Sequence, residues 1–269
     1  MSYLDHFALK EAPFSKEIED KDLWLPSSKA ALVDELIEAV EERASVLLTG
    51  DPGTGKTCVL RALRHRLPKE GFRLTYCHNA TLGRRDFYRQ LCFALGLAPS
   101  ATAAAVFFAV SKHVEDLGKE RVHPVFLLDE AHLLHQDTLD HLHILLNYEW
   151  DKRALLSLVL VGLPEMEDRI ARRRNRSLHS RLARRLRIDP LVPEDTAEYV
   201  AHRLKLVGCA KELFTGEAIT VLHEATSGSM RDVDRIATSA MRVTARKKRK
   251  LVECDVVVQV VEAEMPTRA

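Results

Sequence analysis

The sequence predicts an α/β layer fold with a parallel sheet, followed by a small all-helical domain. Short apolar runs (SVLLT, PVFLLD, LLSLVLVG) alternate with segments of helical periodicity, which implies strands separated by crossover helices. The runs are continuously apolar, as strands covered on both faces are. After Pro193 the alternation stops, and the segments 194–207, 215–226, 230–247 and 253–262 all read as helix.

Taken in order, residues 1–26 form an irregular lead-in with aromatic anchors at Phe7, Phe14 and Trp24. Ser27 and Ser28 can cap a helix over roughly 29–43, where Leu32, Leu36, Ile37 and Val40 recur at helical spacing. SVLLT is the first strand, and a helix from Lys56 to about Leu67 ends at Pro68 and Gly71. RLTYCHN is a second strand; 84–95 and 102–117 are helices; PVFLLD is a third strand. Residues 136–148 are helical, LLSLVLVG is a strand, 165–184 is basic and mostly helical, and LRIDPL is a short strand ending at Pro190. The expected organisation is a lead-in over 1–26, an α/β core over 27–192 and a helical domain over 193–269.

Composition excludes several classes. The chain has 269 residues, 46% hydrophobic and 29% charged, within the range of ordinary globular domains. Net charge is only +1, so basic stretches are local excesses that acids elsewhere balance. The five cysteines form no CxxC pair and are odd in number, which speaks against a disulfide framework or zinc site and for a reducing, cytoplasmic setting. The histidines at 132, 135, 141 and 143 are read as structural or surface residues rather than zinc ligands: His135 and His143 lack tight ligand spacing and no cysteine joins them. No apolar run reaches the roughly 18–20 residues that span a bilayer, and the N-terminus has no signal-peptide pattern, so no membrane association is expected.

The strand SVLLT runs into Gly50-Asp51-Pro52-Gly53-Thr54-Gly55-Lys56-Thr57, a complete G-x-x-x-x-G-K-[ST] in a strand–loop–helix setting. Glycines let several N–H groups converge on one phosphate, and the helix N-terminus adds positive potential. Lys56 can reach the β- and γ-phosphates and the Thr57 hydroxyl can ligate Mg²⁺, so the loop and the next residue, Cys58, are the expected ATP contacts. An acid should stand at the end of another buried strand. PVFLLDE supplies Asp129 for Mg²⁺ and Glu130 to polarise the attacking water. Asp129-Glu130-Ala131-His132 also spells a helicase motif, but no second helicase core follows.

With these motifs the chain resembles an AAA+ ATPase: a P-loop NTPase with a three-layer core and a helical lid. More narrowly it resembles the ExeA-like group and the transposition ATPases of the TniB, TnsC and MuB kind. The resemblance covers roughly 3–247. It is carried by Phe7-Ala8-Leu9 with Ala12-Pro13-Phe14, Thr49-Gly50 and the phosphate loop, LLDEAHLL, Val161 to Glu165, Ser180-Arg181-Leu182, and Gly228-Ser229-Met230-Arg231.

The resemblance implies that Arg231 is a sensor 2 arginine touching the γ-phosphate; a plain helix arginine pairing with Asp232 or Asp234 is the alternative. It implies that Arg181, with Arg184 or Arg185 as fallback, reaches into a neighbouring subunit's site as an arginine finger, which requires a homo-oligomer or filament. Relatives tend to have Gln where this chain has Leu163, so the sensor 1 role falls to Glu165, to a backbone group, or to nothing. Phe14 is placed near the adenine or serves as a core anchor.

Arg172, Arg173, Arg174 and Arg176 are too many for one phosphate. They form either a backbone-binding face for double-stranded DNA or a solvated helix. Lys247 and Lys248, in a second basic cluster over 246–250, have the same two readings, the bland one being cations at a helix C-terminus. No aromatic residue interleaves either cluster, so any DNA binding should tolerate sequence and respond to salt. The expected function is an ATP-dependent regulator that oligomerises on duplex DNA and recruits a DDE-type transposase. The alternatives are an ATPase that helps assemble a secretion channel and a nucleotide switch that does not hydrolyse. The longer secretion relatives carry a membrane span and a wall-binding domain, which are not expected here.

Overall fold

The computed structural model describes residues 2–77, 81–98, 102–148, 152–209 and 211–264. The chain divides into two compact units. One comprises 28–51 and 59–188; the other comprises 1–27, 52–58 and 189–269.

The first unit is built on a five-stranded parallel sheet of order β2-β3-β4-β1-β5, with β1 at Ser45–Gly50, β2 at Phe72–Cys77, β3 at His123–Leu128, β4 at Ser157–Gly162 and β5 at Leu182–Ile188. The three inner strands are buried along their whole length, and their unbroken Val/Leu runs cover both faces of the sheet. The edge strands β2 and β5 are partly exposed. The register pairs Leu128 with Leu160, Leu48 with Val161 and Thr49 with Gly162. Gly50, Asp129 and Leu163 therefore leave the sheet along one edge, where parallel α/β sheets place their ligands. Helices Ser27–Glu41 (α2), Lys56–Arg66 (α3), Arg84–Leu95 (α4), Ala103–Lys119 (α5) and Gln136–Leu145 (α6) link these strands. His78 and Asn79, expected to extend β2, lie outside the described residues.

The basic segment, expected to be mostly helical over 165–184, is helical in pieces: α7 (Glu165–Ala171), an extended Arg172, a single 3₁₀ turn at Arg173–Asn175 and α8 (Arg176–His179). The break is local chemistry: buried Asn175 turns back and donates to the Arg169 carbonyl at 2.7 Å. Strand β5 then starts at Leu182, because ladder pairing with β1 outweighs the helix propensity of a Leu/Arg-rich stretch.

The second unit is helical, with α9 at Pro193–Leu206, α10 at Gly216–Thr226, α11 at Met230–Arg246 and α12 at Cys254–Glu264. Pro193 opens α9, and Thr215 and Ser229 cap α10 and α11, each accepting a backbone N–H three residues on. The lead-in is part of this unit rather than a segment apart. It folds a short helix, α1 (Tyr3–Phe7), and packs Phe14 edge-on to Phe214 and Trp24 against Tyr199. Buried Arg203 fixes it further, donating to the carbonyls of Pro13 (2.6 Å) and Ser15.

Candidate functional site

The phosphate-loop segment 52–58 groups with the helical unit, and its geometry follows from its glycines. Gly53 and Gly55 have φ of +84° and +94°, which only glycine adopts at little cost, and the loop ends where Lys56 starts α3. Thr54 is buried; Pro52 and Thr57 are exposed; Gly53, Gly55, Lys56 and Cys58 are half-buried. Gly53 packs on the start of α11. A Cβ there would stand 2.3 Å from Ser229 Oγ and 3.2 Å from the Arg231 Cβ. Arg231 is thus beside the loop. The acids that could have neutralised it serve other partners: Asp232 pairs with Arg235 (3.1 Å) and Asp234 accepts from the Tyr199 hydroxyl (2.7 Å). Among the described residues Arg231 makes no ion pair and is exposed. Backbone donors at a helix N-terminus, an ammonium and an unpaired guanidinium form a donor set suited to a polyphosphate.

In the sheet unit, β3 ends in Asp129, which is 9% exposed. Its Oδ1 accepts the Glu130 N–H (2.9 Å) and its Oδ2 accepts the Tyr76 hydroxyl (2.9 Å). Burial and the Asp129 carboxylate push the Tyr76 phenol above its usual range, so it remains a donor. A carboxylate oriented this way is a hard oxygen donor of the kind that Mg²⁺ takes. Glu130 is left-handed (φ 53°, ψ 36°), an uncommon conformation for a non-glycine residue, and its half-exposed carboxylate lies 3.6 Å from His132 Nε2. His132 belongs to the one-turn helix Ala131–Leu133, and its Nδ1 is buried without a partner among the described residues.

At the ends of β1 and β4, Leu163 is half-buried and Glu165 points to solvent at the start of α7. The polar group there is Glu167, whose carboxylate accepts the Thr49 hydroxyl.

The arginines separate into different situations. Arg181 lies between α8 and β5, half-buried, with Nη1 donating to the Ser177 carbonyl (3.2 Å). Arg184 is paired within its own chain with Glu38 of α2 and with Glu42 just past it, each at 2.7 Å. Arg185 lies 3.2 Å from His179 Nδ1. Arg172, Arg173 and Arg176 are exposed and make no ion pair among the described residues, whereas Arg174 forks onto Asp140. In the helical unit, Lys247 and Lys248 are exposed just past α11. Lys247 donates to Gln259 (2.7 Å), and the next residue but one, Arg249, is held by Glu253 and Asp255. Phe14, 7% exposed in the helical core, has the anchor's position rather than an open one.

The contacts of Tyr76, Glu167 and Asn175 are not legible in the sequence, because their partners Asp129, Thr49 and Gln136 lie far along the chain; His132 meets Glu130 only through the turn that Glu130 opens.

Residues 37–170 match the family described as AAA domain. Over 258 residues, 94% of the chain, the sequence is 32% identical to general secretion pathway protein A of Aeromonas hydrophila. It covers 47% of that protein, so the chain spans about half the length of its curated relative. Among solved structures it resembles Drosophila ORC bound to DNA, with a TM-score of 0.70 and 22% identity over 95% of this chain and 65% of that one. It also resembles Cdc6p from Pyrobaculum aerophilum, with a TM-score of 0.67 and 17% identity over 87% and 68%. At these identities the likeness to the solved structures is one of fold.

Proposed function

We propose that this chain, a P-loop NTPase fold whose residues 37–170 match the AAA domain family, hydrolyses ATP to control its assembly on duplex DNA and its action on a transposase. The observation that carries the nucleotide part is Arg231: without an ion pair among the described residues, and seated against Gly53 of a complete phosphate loop. The loop N–H groups and Lys56 hold the β- and γ-phosphates. Thr57 and Asp129 would hold Mg²⁺, with Tyr76 fixing the Asp129 carboxylate. When bound there, Mg²⁺ would offset negative charge on the phosphoryl oxygens. Glu130 orients the attacking water, and Arg231 reports the γ-phosphate to the helical unit. Arg181 completes the site of a neighbouring subunit.

The DNA part is supported by the exposed, unpaired Arg172, Arg173 and Arg176, and by a fold shared with a protein solved on DNA. Guanidinium forks suit phosphodiesters without reading bases. Filter binding to duplex DNA at low salt, with and without a slowly hydrolysed ATP analogue, tests the proposal. Analogue-dependent binding is expected, and its absence sinks the DNA reading. Neutralising Arg172, Arg173 and Arg176 should flatten the salt dependence by about three phosphate contacts' worth of slope. Arg181→Ala should instead impair assembly and hydrolysis. If both changes give the same defect, the division is wrong.

The identity to general secretion pathway protein A favours a second reading, an ATPase that assists assembly of a secretion channel. A chain that hydrolyses ATP equally with and without DNA, and binds none, would support it. Equal phosphate release by wild type and Glu130→Gln would instead indicate a nucleotide switch.

A further inference from the structure

A series of hydrogen-bonded residues runs from the basic segment to the turn after Glu130, all within the sheet unit, and a 3.6 Å contact between His132 and Glu130 extends it to the carboxylate. Arg174 is forked on Asp140, with Nε 3.1 Å from each carboxylate oxygen and Nη2 2.5 Å from Oδ2. The same Asp140 accepts Gln136 Nε2 (2.8 Å), which also donates to Asn175 Oδ1 (2.6 Å). Asn175 is 3% exposed, sits between Arg174 and Arg176, and donates to the Arg169 carbonyl (2.7 Å). The Arg169 guanidinium then donates to the carbonyls of His132 (2.8 Å), within the turn that follows Glu130, and Leu134 (2.5 Å), just past it. His132 is packed so closely on Gly162 that a Cβ there would meet its backbone nitrogen at 3.3 Å and its Nδ1 at 3.5 Å. The turn therefore has little slack, and the Glu130 carboxylate rests on His132.

We propose that Asn175 and Arg169 are positioning residues that link occupation of the arginine segment by a polyanionic backbone to the release of Glu130 from His132, and that Asp140 and Gln136 anchor the resting arrangement. A phosphodiester competes with the Asp140 carboxylate for the Arg174 fork. Once Arg174 moves, the 3₁₀ turn bearing Asn175 shifts. Its pull on Arg169 re-aims the His132 turn, and Glu130 becomes available to align water. Bound DNA thereby stimulates hydrolysis. The inference rests on reading Arg172 to Arg176 as the DNA contact.

The test measures kcat and KM for ATP hydrolysis by the full chain, with and without duplex DNA, beside DNA affinity by fluorescence anisotropy. Wild type should be stimulated about fivefold or more, the low end of ordinary coupling between sites. Arg169→Met should keep DNA affinity and KM within about twofold while losing the stimulation, and Arg169→Lys, with a donor for one carbonyl, should restore part of it. Asp140→Asn, at a half-exposed position, should raise the DNA-free kcat toward the DNA-bound value. Full stimulation in Arg169→Met overturns the proposal, as does loss of its DNA affinity or a rise in its KM. An unchanged DNA-free rate in Asp140→Asn does the same. A wild type that binds DNA with no change in kcat overturns the relay and leaves the DNA reading standing; a wild type that binds no DNA removes both.

Discussion

Replacing Gly53 with alanine tests the contact between the phosphate loop and α11. The new methyl would sit at φ +84° with Ser229 Oγ 2.3 Å away, so Ser229 must move. An L-residue in left-handed geometry costs about 1–2 kcal/mol. Ser229 is also the N-cap of α11, accepting the Asp232 N–H at 3.4 Å, and losing a serine cap costs about 1 kcal/mol. Gly53→Ala should therefore lose about 2–3 kcal/mol, or roughly 5–10 °C in Tm for a chain of this size. ATP binding should weaken as well, because the Arg231 Cβ at 3.2 Å must also give way. Adding Ser229→Gly removes the obstructing hydroxyl, and glycine is itself a tolerable cap, so the double variant should recover about 1 kcal/mol. Scanning calorimetry with and without an ATP analogue reads both effects. Equal Tm for the single and double variants would refute the steric argument; an unchanged Tm in the single variant would refute all of it.

Two further changes have outcomes worked from the helical unit. Burial pushes the Asp234 carboxyl up to about 6, with Tyr199 and Arg203 opposing the rise. The unfolded chain releases this proton near pH 4, so stability falls as pH rises from about 4 to 6 and stays lower above, by about 3 kcal/mol. Asp234→Asn should accordingly be more stable than wild type at neutral pH and equal to it at roughly pH 4, as read from urea midpoints; equal midpoints at neutral pH would contradict this. Gly228→Ala should be costlier than Gly53→Ala, about 4 kcal/mol, because its methyl meets backbone: the Leu191 carbonyl oxygen at 2.1 Å and nitrogen at 2.8 Å. A urea midpoint near that of Gly53→Ala would show that the Leu191 segment yields.

What could be read from sequence were the features whose physics is local. SVLLT, PVFLLD and LLSLVLVG announce strands because both their faces are covered. The phosphate loop is legible because its glycines, Lys56 and Thr57 must be adjacent. Leu182 to Arg184 read as the end of a helical stretch, because only pairing with β1 makes them strand. Nothing local in the sequence announces that Glu38 and Glu42 meet Arg184. Gly228 read as part of a phosphate-sensing motif, and its stricter demand, a left-handed turn pressed on Leu191, involves a residue 37 positions earlier. The lead-in was ambiguous for the same reason: what holds Phe14 and Trp24 is Phe214 and Tyr199, far along the chain.

Strand β5 has one further consequence. It pairs only with β1, so its other side is a sheet border with its own row of backbone donors and acceptors. Such a border, if apolar, invites an identical border from another molecule. Here the strand is LARRLRI, with Arg185 and Arg187 exposed. Two copies meeting edge to edge would press guanidinium groups together, with electrostatic cost and no apolar gain. Part of the arginine richness therefore protects against uncontrolled sheet growth, and exchanging Arg185 and Arg187 for valine would be felt first as precipitation on concentration.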